Sequence, residues 1–376
     1  MNNTGGILWQ KTYGGSADDE ARAVHRNDDG TFMIVGNTQS FGASGQDGWI
    51  FKLDASGNLL SQQRYGGSGN GDQLFSIVPI TNLPYMGGYL VGGQSNSFGA
   101  NGTDYWLMAL AANGAIHWQK LYDRSGTSDN GHSAIHVSDG NVIVGYSASI
   151  SGNDFWVVKV DHEGALLWSK TYGGTPSNDY GLTIMPAHNG GYIVVGYSDA
   201  FGAGDFDAWV LHISATDGSV LWQNAYGGIG VDTAAHGAAS NDGTYLITGY
   251  ETTSSENIDL LALKIDPSGV IRWQRSFGLS VEEKGFAIQG TEDGGAIIVG
   301  CFDCKTGGDD FWVVKVDADG NLGTPCSYAT SPAFTPSASS GVTSVPTPNV
   351  ANSGVTPVAS GATPATSSAS SQTQCE

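Results

Sequence analysis

The chain has 376 residues, of which 40% are hydrophobic and only 14% are charged, and its formal net charge is −21. Such an acidic chain is a poor partner for nucleic acid or for an anionic membrane surface. Its apolar runs are shorter than the ~18 residues of a membrane-spanning helix, so no membrane insertion is expected. The 56 glycines are typical of many short strands joined by tight turns.

The first repeating unit contains four predicted strands: Ala21–Arg26, Thr31–Asn37, Trp49–Asp54 and Leu59–Tyr65. The turns at 27–30 and 55–58 are short, and their Gly and Asn residues supply the positive φ of a tight hairpin. Four antiparallel strands that recur about every 50 residues make a propeller blade, whereas solenoid repeats of this length are mostly helical.

Later units repeat the same phrases, so the units can be counted. One position in the third strand carries Trp49, Trp106, Trp156, Trp209, Leu261 and Trp312, which are 50 to 57 residues apart. All ten Trp residues lie either at this position or in a fourth-strand phrase of the type W-x-K-T-Y-G-G. We therefore predict an all-β fold, a six-bladed β-propeller of four-stranded blades over residues 1–325.

The two ends of the repeat array predict how the last blade is completed. The first strand of each unit is rich in small residues, which suits the crowded central axis of a propeller, and the fourth strand suits the outer edge of a blade. The chain begins with an extra fourth-type strand, Ile7–Tyr13, and its last unit lacks a fourth strand after Trp312–Asp317. We expect these two segments to pair, because this pairing removes open sheet edges.

The phrases L-W-S-K-T-Y-G-G, D-G-G-x-I-I-V-G and D-F-W-V-V-K-V-D carry a family resemblance that extends over about residues 7–321. They resemble a bacterial propeller repeat of secreted and surface proteins and, more distantly, WD-type and kelch-type blades. The resemblance implies the propeller fold and an extracellular or cell-surface location. It implies no functional residues, because the shared motif is a structural one.

Acidic residues recur just before the third strand, among them Asp47, Asp104 and Asp207, and others recur before the first strand. One interpretation is a ring of carboxylates that binds cations, such as Ca²⁺, or a sugar. The other is that each acid caps its own turn and fixes the blade spacing. The regular recurrence favours the second interpretation, because a catalytic pair would break the repeat.

Three of the long loops contain a Phe–Gly pair: Phe41, Phe98 and Phe201 precede the glycine. Because loops carry sites more often than strands do, these rings and the neighbouring acids form a candidate ligand face. Glycans or other surface proteins are its expected ligands. His132 and His136 are not expected to share a metal ion, because residues four apart on a strand lie about 13 Å apart.

The four cysteines are Cys301, Cys304, Cys326 and Cys375. Their even number favours an oxidising compartment, although four cysteines permit three pairings. Cys301 and Cys304 are interpreted as a local disulfide or as two independent thiols, because a zinc site needs a second ligand pair. A bond between Cys326 and Cys375 would close the C-terminal segment into a loop.

Residues 326–376 form a tail that is dominated by Ser, Thr, Pro, Ala, Gly and Val and contains no Lys or Arg. This composition is typical of an extended or O-glycosylated stalk. The tail could be pinned on its own propeller, or it could add a strand to a neighbouring copy. A head-to-tail contact that does not close would give a filament.

Three functional hypotheses follow. The sequence contains no nucleophile elbow, phosphate loop or zinc-protease motif, so no catalytic residue and no cofactor is predicted. The first hypothesis is therefore a non-enzymatic extracellular structural or adhesive protein, a fibre or surface-array subunit that self-associates through its tail. The alternative is a propeller that binds glycans or another ligand on the long-loop face. A hydrolase or lyase with an axial site is the least favoured.

Overall fold

The computed structural model describes most of the chain, in the following ranges: 8–41, 45–67, 71–98, 102–124, 128–149, 151–174, 176–254, 257–278, 281–304, 310–323, 329–330, 337–338, 349–352 and 363–366. All regular elements in these ranges are β-strands. No helix in the described ranges is long and apolar enough to cross a membrane.

The strands follow one another in groups of four after β1 (Lys11–Gly14). The first group is β2–β5: Asp19–Arg26, Phe32–Thr38, Asp47–Leu53 and Leu59–Tyr65. The second is β6–β9: Gln73–Pro79, Tyr89–Ser95, Asp104–Leu110 and Ile116–Asp123. The third is β10–β13: Asp129–Val137, Gly140–Ser149, Gly152–Val160 and Leu166–Tyr172.

The fourth group is β14–β17: Ser177–Pro186, Tyr192–Ser198, Asp207–Ile213 and Val220–Tyr226. The fifth is β18–β21: Thr233–Ala239, Tyr245–Ser254, Asn257–Ile265 and Ile271–Phe277. The last group has three described strands, β22–β24: Lys284–Gly290, Ala296–Phe302 and Asp310–Val316.

Strands that are consecutive in the chain pair antiparallel within these sheets. In the first sheet, for example, Val35 lies opposite Ile50 and Trp49 lies opposite Arg64. A bulge interrupts the pairing of the first and second strands at the same place in several sheets, as between Ala21 and Ala23. The predicted all-β fold of antiparallel, mostly four-stranded sheets is thus confirmed, and the count of six blades remains a prediction.

The chain divides into two compact units. Unit 1 consists of Met1–Ile143, Val158–Ser169 and Pro346–Gln374, and unit 2 consists of Val144–Val157, Lys170–Val345 and Cys375–Glu376. The boundary between the units crosses the third group of strands. The predicted division into a propeller at 1–325 and a tail at 326–376 follows composition instead, and it remains a prediction.

The third strands of the second and fourth groups are buried along their whole length. All seven residues of β8 and all seven of β16 are buried, and Trp106 and Trp209 have no exposed surface. A strand that is covered on both faces has a continuous apolar sequence, such as Trp106-Leu107-Met108, and not an alternation of apolar and polar residues. The fourth strands alternate more strongly and carry exposed residues such as Leu221.

The tail supplies four further strands, and each extends the fourth-type strand of a sheet. They are β25 (Ala329–Thr330) on β21, β26 (Ser337–Ala338) on β17, β27 (Asn349–Asn352) on β9 and β28 (Thr363–Thr366) on β1. These four strands pair with strands of their own chain, and the addition of a tail strand to a neighbouring copy remains a prediction.

The predicted closure of the last blade by the N-terminal strand would join β1 to β24. In the described residues the backbone partner of β1 is β28, and the partner of β24 is β23. The pairing between β1 and β24 remains a prediction.

Candidate functional site

The recurring acids come together in pairs at one end of the sheets. The backbone N–H of Asp72 donates to the carbonyl of Gln46 at 2.9 Å, and that of Asp129 donates to the carbonyl of Thr103 at 2.6 Å. Each bond places an acid that precedes or begins a first strand next to an acid that begins the third strand of the preceding group. We call these couples acid pairs: Asp47–Asp72, Asp104–Asp129 and Asp207–Asp232.

Glycines of the Y-G-G phrase pack directly against the acid pairs. A Cβ atom on Gly66 would lie 1.8 Å from Oδ1 of Asp47, and one on Gly227 would lie 1.8 Å from Oδ1 of Asp207. A side chain at either position would push the carboxylate aside, so these glycines let Asp47 and Asp207 lie where they do.

The second glycine of the phrase helps to hold the first-strand acid. The N–H of Gly67 donates to Oδ2 of Asp72 at 2.9 Å, and the N–H of Gly228 donates to Oδ2 of Asp232 at 2.6 Å. Ser95 and Ser97 also donate their hydroxyls to Asp72. Through these contacts the acids fix the loops between sheets. This agrees with the interpretation that the recurring acids cap turns and fix the spacing.

Asp47 forms an ion pair with Arg64. Nη1 of Arg64 lies 2.8 Å from Oδ2 of Asp47, whose side chain is fully buried. Burial raises the pKa of Asp47, while the hydrogen bond and charge of Arg64 act to lower it. At the equivalent acid Asp207, burial and the charge of Asp232 raise the pKa to about 6.

The pair Asp104–Asp129 departs from the repeat because a third acid joins it. In the phrase Leu121-Tyr122-Asp123-Arg124, Asp123 takes the place of the first glycine of Y-G-G. One carboxylate oxygen each from Asp104, Asp123 and Asp129 lie within 4.8 Å of one another. Burial and the two neighbouring acids raise the pKa of Asp104 to about 7.

A second departure from the repeat is Glu251, which sequence reasoning missed. It begins a Glu-Thr-Thr segment where Ser95 and Ser198 stand in other second strands, and it is 3% exposed. Burial first, then the charges of Asp232 and Asp259, raise its pKa to about 7. An alignment of the second strands would have found Glu251, because in this copy a carboxylate replaces a hydroxyl.

The Phe residues of the candidate ligand face pack inward against the third-strand Trp residues. The ring centroids are 5.5 Å apart for Phe41 and Trp49, 5.8 Å for Phe98 and Trp106 and 4.8 Å for Phe201 and Trp209. All three Phe rings are half-buried. Each ring therefore covers a buried indole.

The two histidines of β10 have separate surroundings. His132 stacks on Phe75 with 5.1 Å between the ring centroids, and burial lowers its pKa to about 4. His136 lies between two amides, with its Nδ1 2.8 Å from Oδ1 of Asn141 and its Nε2 2.7 Å from Oδ1 of Asn82. Neither arrangement is that of a metal ligand pair.

Cys301 and Cys304 form a disulfide with 5.8 Å between their Cα atoms. The bond joins the end of β23 to the loop that follows it. Cys326 and Cys375, the other two candidate disulfide residues, lie outside the described residues.

No family model matches this chain, and no curated protein does. Among solved structures, the chain is similar to Sqt1 of Chaetomium thermophilum bound to the N-terminus of the ribosomal protein L10, at 12% identity and a TM-score of 0.49, covering 82% of this chain and 87% of that one. For Sqt1 alone the sequence identity is 12% and the TM-score is 0.43, and the match covers 85% of this chain and 87% of that one. For the GH43 endo-arabinanase of Bacillus licheniformis the sequence identity is 10% and the TM-score is 0.34, and the match covers 82% of this chain and 99% of that one.

Proposed function

We propose that this chain is a non-enzymatic extracellular structural protein, a six-bladed propeller that associates with further copies of itself by exchanging its C-terminal tail. The observation that carries the proposal is the pairing of four tail strands with four fourth-type strands. Main-chain hydrogen bonds of this kind give affinity with little demand on side-chain sequence.

All four tail strands bind at the same position of the repeat. The residue just before the aromatic of the Y-G-G phrase pairs with Ala365 on β1, with Ala351 on β9, with Ser337 on β17 and with Thr330 on β21. The repeat therefore presents equivalent docking edges, and the tail carries several segments that fit them. A tail segment that fits its own chain fits the same edge of an identical copy equally well, which is the condition for strand exchange.

The fourth-type strands β5 and β13 occupy the same position of the repeat as the four strands that pair with the tail. Both end in the same phrase, with Tyr65 and Tyr172 ahead of the two glycines. The outer edge of a sheet is a template for pairing with another chain, and equivalent edges accept equivalent segments. We propose that β5 and β13 accept tail segments in the same way, and that any of the six edges can take its segment from a neighbouring copy.

Two features support a location outside the cell or at its surface. The disulfide between Cys301 and Cys304 suits an oxidising compartment. The Ser/Thr/Pro-rich tail has the composition of an O-glycosylated stalk. Protease treatment of intact cells tests the location: the proposal predicts cleavage of the tail without lysis, and full protection would contradict it.

Tail exchange is tested by measuring mass in solution and by electron microscopy of the purified full chain. We expect oligomers or filaments that grow with protein concentration, and monomers after deletion of 327–376. A full chain that stays monomeric at every concentration, or assemblies that persist after the deletion, would contradict the proposal.

A matched variant tests the pairing itself rather than the presence of the tail. In the double variant Val350→Pro and Ala351→Pro, two consecutive N–H groups are removed from β27, and consecutive N–H groups point to opposite sides of a strand. One of the two must therefore face β9. We expect weaker assembly than with Ser360 and Gly361 replaced by Pro, which lie between β27 and β28 in the chain.

The alternatives have less support. The three Phe rings that a glycan site would use are engaged with Trp indoles, so a flat sugar-stacking surface would need them to turn outward. A hydrolase would need an acid pair that reaches substrate, but Asp47, Asp104 and Asp207 are at most 1% exposed.

A further inference from the structure

The chain breaks its own repeat at one acid pair, and the break adds negative charge. Asp104 and Asp129 are 1% and 0% exposed. In five of the six Y-G-G positions the residue beside the acid pair is glycine, as in Gly66 and Gly227, and here it is Asp123. A third carboxylate at a place where two are already buried raises the cost of keeping all three charged, and a bound positive charge lowers that cost.

Other acids at the start of a third strand have a cation or hydrogen-bond donors beside their buried carboxylates. Asp47 is paired with the guanidinium of Arg64. Asp259 accepts the side-chain N–H of Asn257 at 2.7 Å and the hydroxyl of Ser276 at 3.2 Å. Asp207 accepts the N–H of Gly204 at 3.2 Å.

Asp104 differs from all three. Among the described residues, neither oxygen of its carboxylate has a hydrogen-bond donor, although both atoms are buried. This carboxylate lies against Asp123 and Asp129 within the cluster of three. A buried carboxylate with two unsatisfied oxygens, directed at two further acids, is the arrangement that a bound cation completes.

We propose that Asp104, Asp123 and Asp129 bind one Ca²⁺ ion, which ties the end of β9 to the start of β8 and of β10. The donors are carboxylate oxygens only, which selects a hard cation over zinc or copper. Oxygens that lie within 4.8 Å of one another can reach a common Ca²⁺ at about 2.3–2.6 Å, and the flexible coordination of Ca²⁺ needs less regular ligand geometry than the octahedron of Mg²⁺.

The decisive variant restores the repeat. Asp123→Gly restores the first glycine of the Y-G-G phrase, which five of the six copies have, so it removes a ligand without introducing a residue foreign to the repeat. We expect the full chain to bind one Tb³⁺ ion with luminescence sensitised by the adjacent Tyr122, and Ca²⁺ to displace it. Asp123→Gly should weaken this binding about tenfold or more, because ligand charge tunes Ca²⁺ affinity over several orders of magnitude.

Thermal unfolding separates a specific site from the general effect of cations on an acidic chain. Ca²⁺ should raise the unfolding temperature of the parent chain more than that of Asp123→Gly. In EDTA, Asp123→Gly should unfold at a higher temperature than the parent chain, because the substitution relieves the repulsion between like charges. The control Asp205→Asn removes an exposed acid and should leave the Ca²⁺ shift unchanged.

Two outcomes would overturn the proposal. One is the absence of a saturable site at millimolar Ca²⁺ in the parent chain. The other is an equal Ca²⁺ shift in the parent chain and in Asp123→Gly, which would mean that the cluster is held by protonation or by a cationic side chain such as the neighbouring Arg124.

Discussion

The hydroxyl of Tyr172, at the end of β13, donates a 2.6 Å hydrogen bond to the carbonyl of Gly218 in the turn between β16 and β17. The same bond links Tyr226 to Gly269 at 2.7 Å. The aromatic of the Y-G-G phrase therefore fastens the end of one sheet to a turn of the next. Because Tyr172 is fully buried, loss of its hydroxyl leaves the carbonyl without this partner.

Tyr172→Phe should lower the free energy of unfolding by about 1–3 kcal/mol, the cost of an unsatisfied buried group. Equilibrium unfolding in urea measures it. The chain offers its own control, because Phe277 already occupies the equivalent position in β21. Phe277→Tyr should be neutral or stabilising, and an unchanged free energy of unfolding in Tyr172→Phe would mean that the hydroxyl contributes nothing.

Removal of the guanidinium beside Asp47 should be more costly. Arg64→Leu, which installs the residue that β9 has at Leu121, leaves a buried carboxylate next to Asp72 without its cation. Breaking a buried ion pair in this way costs roughly 3–5 kcal/mol. Adding Asp47→Asn should recover most of the loss, and failure to recover would show that Arg64 acts through packing instead.

The buried acid Glu251 predicts an unusual dependence of stability on pH. Its pKa is about 7 in the folded chain, against 4.5 for an ordinary glutamate, so the folded state holds a proton that the unfolded state has released. Stability should therefore fall as the pH rises between these values, by at most about 1.4 kcal/mol per pH unit for one proton. Urea unfolding at pH 5 and pH 7.5 measures the fall. Glu251→Ser, the residue of other copies, should flatten it, and an unchanged slope would assign the effect to other acids.

Phe201 distinguishes packing from ligand binding. Its ring lies 4.8 Å from that of Trp209, and Phe201→Ala should destabilise the chain by about 1–2 kcal/mol, less than for a fully buried ring. Phe201→Leu should retain most of the stability. Glycan-array binding that is lost in both variants, without a loss of stability in Phe201→Leu, would favour the ligand-binding alternative.

Much of the fold could be predicted because the repeat states it many times. The predicted strand Leu59–Tyr65 has the observed bounds of β5, and Trp49–Asp54 differs from β4 by two residues at its start and one at its end. The contacts of Asp72 and Asp232 with the Y-G-G glycines agree with the interpretation that these recurring acids fix loops.

What the sequence did not disclose lies where copies differ or where no periodicity exists. Asp123 stands out only when the Y-G-G phrases are aligned and the consequence of adding a carboxylate beside two others is considered. The tail strands have no apolar alternation, because their pairing depends on backbone groups that every residue possesses. Their register with β1, β9, β17 and β21 could come only from the structure.

The order in which the tail visits the sheets has a mechanical consequence. Along the chain, the tail pairs with β21, then β17, then β9 and finally β1, each time through two to four residues. A force applied at the C-terminus loads β28 first and reaches β27 only after β28 has peeled away. The tail therefore lengthens in small successive steps and absorbs extension before any four-stranded sheet bears the load.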